Sequence, residues 1–240
     1  MTPKASPLLQ IDDLYVSYNS QPYLQGVSLE VWPEQVVALV GPNGAGKTTI
    51  LKAVGGLLPA AAGRIVFEGR DITNLPVWEI VQRGVVYVPE GMKVFPHMSV
   101  RENLEVGAYL DRSALAARLA LVYDLFPQLS ERSRALAGDL SGGQQRLVTL
   151  GRALMSPARL LLLDDPFLGL SPRFTGLFCD AFRSLRRSGR TLVIAGQHVK
   201  RILNVADRAF LLENGRLALS GTGPEILANP HFRAALFSPE

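Results

Sequence analysis

The sequence predicts an α/β fold with a nucleotide site on its parallel core, and three segments predict it. Residues 36–40, VVALV, read as a buried strand, GPNGAGKTT follows at 41–49, and residues 49–54 open a helix. A second apolar strand at 159–163 ends in two carboxylates, Asp164 and Asp165. Between them, from Met98 to about Leu154, the apolar spacing is helical, and this stretch contains LSGGQ at 140–144.

In chain order, residues 8–31 and 63–67 look like strands of a mainly antiparallel β region beside the core. In the glycine-rich loop, Gly41, Gly46, Lys47 and Thr48 occupy the required places of G-x-x-x-x-G-K-[ST]. The glycines let backbone N–H groups turn inward around a β-phosphate, and the helix behind them offers its positive end to an anion. Lys47 is placed to reach the β- and γ-phosphates of ATP, and the Thr48 hydroxyl to ligate Mg²⁺. Pro42, Asn43, Gly44, Ala45 and Thr49 complete the nucleotide cradle.

The helical stretch opens with VRENL at 100–104. A second helix is expected over 113–126, with Leu115, Leu119, Val122 and Leu125 on one face. A helix over 145–154 follows LSGGQ. Asp164, at the end of a strand facing the phosphate loop, suits a metal partner. Asp165 sits where a carboxylate can orient or deprotonate the attacking water, although an Asp before Pro166 is also ordinary turn chemistry. A helix is expected over 172–187, where Phe174, Leu177, Phe178, Ala181, Phe182 and Leu185 make one apolar stripe and Cys179 is half-buried or buried. Strands at 191–195, 209–213 and 217–220 and a helical tail at 224–236 close the chain.

Composition narrows the class. With 240 residues and 48% hydrophobic content the chain can bury a sizeable core. Its single cysteine excludes an internal disulfide. No apolar run approaches the ~18 residues a spanning helix needs, and residues 1–10 lack a signal-peptide core. The charge of +4 is modest, and no basic stripe with interleaved aromatics suggests a nucleic-acid groove. Arginines such as Arg183, Arg186 and Arg187 read as a solvated helix face.

LSGGQ between the two phosphate-site motifs makes the chain resemble the ATP-binding subunits of ABC transporters over nearly all its length. The resemblance implies a P-loop NTPase core (ABC ATPase) with an antiparallel β subdomain and an inserted α-helical signature subdomain. It implies one domain over 7–240: core and β subdomain at 7–90 and 155–222, helical subdomain at 91–154, and tail at 223–240. It also implies that Ser141, Gly142, Gly143 and Gln144 close over the ATP of a second subunit in a head-to-tail dimer. Tyr18 falls where the family stacks an aromatic ring on adenine, though it also reads as a strand residue. Glu90 falls at the position of a Mg²⁺-contacting Gln, and Gln197 at that of the switch histidine. Its neighbour His198 reads as a surface histidine opening a helix.

VPEGMKVFPHMSVRENLEVGAYL, DDPFLGLSP and GQHVKRILNVADRAFLLENGRLALSGTG look most like an ATPase of branched-chain, or hydrophobic, amino-acid importers. That implies a partner ATPase, for which the resemblance favours a homologue and leaves a copy open, and two transmembrane permease subunits, with the permease contact near residues 90–96. It implies, indirectly, a solute-binding protein outside, and a peripheral place on the cytoplasmic face of the membrane. Asp165 departs from the Glu of this subfamily. An Asp carboxylate falls back by roughly 1.5 Å, which predicts slow hydrolysis at this chain's own phosphate loop. The tail also lacks the subfamily's Tyr-Leu-Gly ending. The same residues leave room for a urea or amide importer, or for a regulatory subunit with poor hydrolysis. A soluble ABC ATPase acting on DNA or ribosomes would carry coiled-coil insertions or two cassettes, and neither is present.

Overall fold

The computed structural model describes residues 6–19, 21–91 and 94–237. Its strands are β1 (Leu9–Tyr18), β2 (Gln21–Val31), β3 (Val36–Val40), β4 (Ala62–Phe67), β5 (Arg70–Asp71), β6 (Val85–Val88), β7 (Leu160–Asp164), β8 (Thr191–Ala195), β9 (Arg208–Glu213) and β10 (Arg216–Gly221). The helices are α1 (Lys47–Val54), α2 (Val77–Gln82), α3 (Val100–Val106), α4 (Leu115–Leu125), α5 (Pro127–Glu131), α6 (Gly142–Leu154), α7 (Pro172–Arg187), α8 (Val199–Leu203), α9 (Gly223–Ala228) and α10 (Pro230–Phe237).

Two sheets form. One is antiparallel, in the order β2-β1-β4-β5; the other runs β10-β9-β3-β8-β7-β6. In the second, β9, β3, β8, β7 and β6 are mutually parallel and β10 pairs antiparallel with β9. Strands β3, β7 and β8 are buried at every residue, as expected of strands covered on both faces. Alternation along them feeds two cores. Leu160, Leu162, Val37 and Leu39 point toward the antiparallel sheet and α1, while Leu161, Leu163, Val36 and Ala38 point toward the helices.

On the helical side, α7 buries Phe178, Ala181, Phe182 and Leu185, while Phe174 and Leu177 stay half-buried. Phe167, Phe178 and Phe182 meet at ring-centroid distances of 5.7–6.4 Å. Each such buried side chain contributes about 1.5–3 kcal/mol. Cys179 lies half-buried on the same helix, and burial pushes its thiol up. Asn103, fully buried on α3, ties the 94–99 loop down: its side chain bonds Phe95 through both N–H and carbonyl and donates to Met98 and Ser99 carbonyls.

Several expected boundaries move. The helix expected over 113–126 runs Leu115–Leu125, because Phe126 (φ −136°, ψ 72°) leaves helical geometry before Pro127. The helix expected from Gln145 begins at Gly142, since Ser141 caps it. The tail is two helices, broken where Asn229 (ψ 126°) precedes Pro230. The short elements β5, α2, β6, α5 and α8 carry too few residues to show a period.

Candidate nucleotide site

The parallel sheet explains why distant residues converge. The phosphate loop follows β3, Gly196 and Gln197 follow β8, Asp164 and Asp165 end β7, and Glu90 follows β6. These four strands are neighbours in the order β3-β8-β7-β6, so their carboxyl ends share one edge. There a cavity of about 310 Å³ is lined by residues 43–49, Tyr23, Glu90, Asp164, Asp165, Gly196 and Gln197.

The loop's shape depends on two glycines. A Cβ on Gly41 would stand 2.1 Å from the Leu212 carbonyl oxygen, and one on Gly46 (φ 105°) would stand 2.6 Å from Leu24 Cδ2. Gly46 directly precedes α1, so that helix's free N–H groups open onto the cavity. The buried Lys47 curls back over the loop, and its Nζ donates to the carbonyls of Gly41 and Pro42 at 2.8 Å each. Burial pulls its ammonium below the ordinary range, and the charges of Asp165 and Asp164 oppose that shift.

Asp164 has a donor on each oxygen. Thr48 Oγ1 donates to Oδ1 at 2.9 Å, and the Tyr87 hydroxyl donates to Oδ2 at 2.8 Å. Burial and the Asp164 charge push the Tyr87 phenol above its ordinary range, so it stays a donor.

Asp165 is held differently. It adopts φ 41°, a left-handed conformation that costs an Asp about 1–3 kcal/mol. Its N–H bonds the Ala195 carbonyl at 2.8 Å, and the Gln197 N–H reaches Oδ2 at 3.4 Å. Oδ1 is buried and meets no hydrogen-bond donor among the described residues. Burial pushes this carboxyl above the usual range, against the Gln197 N–H and the nearby His198, which lower it.

Other expected residues lie outside the cavity. Tyr18 stands 38% exposed and meets Tyr23 edge-on at 5.0 Å, so Tyr23 rather than Tyr18 lines the cavity wall. Ser141, Gly142, Gly143 and Gln144 form the start of α6 and do not line it. Ser141 and Gln144 make a reciprocal capping box, leaving the other N–H groups of that exposed turn free for an acceptor. Gln145 fixes the turn from behind by donating to the carbonyls of Ala137, Gly138 and Leu140. His198 is half-buried at the N-cap of α8 rather than a plain surface histidine. Tyr87, Tyr23 and Gly196 escaped the sequence reading. Only Tyr87, three residues before Glu90 in an apolar run, carried a signal that could have found it.

A phosphate loop joined to a carboxylate strand, with a capped SGG helix start on an inserted helical region, defines a P-loop nucleoside triphosphatase of the signature-bearing kind. The family model described as ABC transporter matches residues 24–168, and the chain belongs to that family. It is 40% identical over 229 residues to the high-affinity branched-chain amino acid transport ATP-binding protein BraG of Pseudomonas aeruginosa, covering 95% of this chain and 98% of that protein. It is 36% identical to the lipopolysaccharide export system ATP-binding protein LptB of Acidithiobacillus ferridurans, covering 95% of each. The crystal structure of the ADP conformation of MJ1267, an ATP-binding cassette of an ABC transporter, superposes with a TM-score of 0.86 at 26% identity, covering 98% of this chain and all of that one. Nucleotide binding and ATP hydrolysis are the chemistry of this family. Among the described residues no helix is long and apolar enough to cross a membrane.

Proposed function

We propose that the chain is the ATP-hydrolysing subunit of a membrane importer for branched-chain or other hydrophobic amino acids. The observation that carries this is the single cavity uniting phosphate loop, Asp164, Asp165, Glu90 and Gln197, joined to the 40% identity with BraG. The loop N–H groups and Lys47 bind the phosphates of ATP, and the Tyr18–Tyr23 pair offers an aromatic edge for adenine.

The donor set suits Mg²⁺. Thr48 and Asp164 already converge, and Glu90, after the neighbouring strand β6, lines the same cavity, so these three would hold the ion beside the phosphates. When bound, Mg²⁺ supplies charge neutralisation at the phosphates. Asp165 orients the attacking water, Lys47 stabilises charge on the γ-phosphate, and Gln197 contacts that phosphate. Because Asp165 is one methylene short of a Glu, hydrolysis at this site is slow.

Ser141, Gly142, Gly143 and Gln144 serve the ATP held by a second ATPase, a homologue of this chain, in a head-to-tail dimer. In this reading residues 91–154 are the helical subdomain. Of the two permease subunits, one docks on this chain by a coupling helix, in an apolar groove of about 250 Å³ lined by Val81, Phe95, Val106 and Tyr109 among others, and the chain lies peripherally on the cytoplasmic membrane face. The similarity to LptB favours a second reading, lipopolysaccharide export. Reconstitution with permease and partner ATPase in bilayers separates the two. Uptake of leucine, isoleucine or valine that needs ATP and an intact Lys47 supports the importer, whereas ATP turnover stimulated by lipopolysaccharide and not by those amino acids overturns it.

A further inference from the structure

Asp165 and Gly196 meet where β7 and β8 end. A Cβ built on Gly196 would stand 3.1 Å from Asp165 Oδ1, 3.3 Å from its Cγ and 3.0 Å from Ile202 Cδ1. All three are tighter than ordinary van der Waals contact, so the Asp165 carboxyl occupies the space that a side chain at 196 would need. Gly196 lies outside the positive-φ region, so no dihedral demands a glycine there; the close approach does. The carboxylate is not locked in place by strong bonds. Oδ1 is buried without a donor among the described residues, and Oδ2 has only the Gln197 N–H at 3.4 Å.

We propose that Gly196 is a positioning residue: its missing side chain makes a notch, backed by Ile202, that lets the Asp165 carboxylate sit back in the wall of the phosphate cavity and so sets how well it orients the attacking water. The inference rests on the reading of Asp165 as the water-orienting group. It goes further by assigning the withdrawal to a second residue as well as to the shorter side chain. Filling the notch requires the carboxyl to give by a few tenths of an ångström, and the cavity that it lines is the open space beside it. Since a misplacement of 1 Å can cost on the order of a hundredfold in rate, that shift corresponds to about three- to fivefold.

The test is single-turnover hydrolysis by the full chain in excess over MgATP, with the half-saturating concentration read from the same titration. Gly196→Ala is expected to raise the maximal rate about three- to fivefold and to leave half-saturation within about twofold. In an Asp165→Asn background the same change leaves the residual rate unaltered. Ile202→Val removes the Cδ1 that backs the notch, lowers the rate by a similar factor, and is again silent beside Asp165→Asn. An unchanged or lower rate for Gly196→Ala, or an equal change in both backgrounds, overturns the notch. Should Gly196→Ala fail to fold, the Ile202→Val pair decides by the same rule. If Asp165→Asn alone leaves the rate intact, the reading of Asp165 has failed, and the notch falls with it.

Discussion

On the wall of the cavity formed by the phosphate loop and Asp164, the charged side chains are already partnered within the chain. Lys47 has two carbonyls, and Asp164 has Thr48 on one oxygen and Tyr87 on the other. On the facing wall, at the ends of β7 and β8, Asp165 has one buried oxygen without a donor among the described residues and one bond of 3.4 Å on the other. The two carboxylates are adjacent in sequence and nearly equally buried, at 6% and 5% exposure, so burial does not separate them. Direction does. Asp164, the last residue of β7, points at the loop, while Asp165 turns to φ 41° and tucks against Gly196. The partnered wall is preorganised to bind, whereas the loosely held Asp165 is free to move.

Lys47→Ala should produce the largest effect, because it removes the one ammonium on the finished wall. ATP hydrolysis is expected to fall by at least about a hundredfold in kcat/KM. A loss below tenfold in a steady-state assay would mean that the loop amides alone carry the phosphates. Asp165→Glu comes next and acts on the loose wall. It should raise kcat severalfold, with roughly a hundredfold as the ceiling, and leave KM within about twofold. Unchanged turnover would show that Asp165 already reaches its water, and the contrast between the walls would lose its functional meaning.

The finished wall was the legible one. Gly41, Gly46, Lys47, Thr48 and Asp164 are specified by local chemistry: a glycine where a carbonyl comes within 2.1 Å of a missing Cβ, and a carboxylate at a buried strand's end. The α7 stripe and the strands β3 and β8 were equally readable, since burial imposes a period. On the loose wall Asp165 and Gln197 were named but their arrangement was not, because the partners of Asp165 are a backbone N–H from Gln197 and the absence of a side chain at Gly196. Neither has a sequence signature. Tyr23 stayed hidden for another reason: which of two tyrosines near a hairpin end faces the cavity depends on register, and β1 and β2 shift register between Val16 and Ser17.

Tyr87→Phe tests whether the finished wall needs its outer partner. It removes the 2.8 Å bond to Asp164 Oδ2 while keeping the ring that lines the apolar groove. If Asp164 holds Mg²⁺ as proposed, losing this outer partner should raise the Mg²⁺ concentration for half-maximal hydrolysis about tenfold. An unchanged Mg²⁺ requirement would show that Thr48 alone aligns Asp164.

Gln197→Ala should have the smallest effect and sharpens the contrast from the other side. The side chain is exposed, and the contact to Asp165 is made by the backbone N–H, which alanine keeps. In the proposed role the loss is one neutral hydrogen bond to the γ-phosphate, about 0.5–1.5 kcal/mol, which corresponds to roughly a two- to tenfold drop in kcat. A drop larger than that of Asp165→Asn would reverse the roles on this wall. Gln197 would then orient the water, and the buried carboxylate would serve to hold the Gln197 backbone in place.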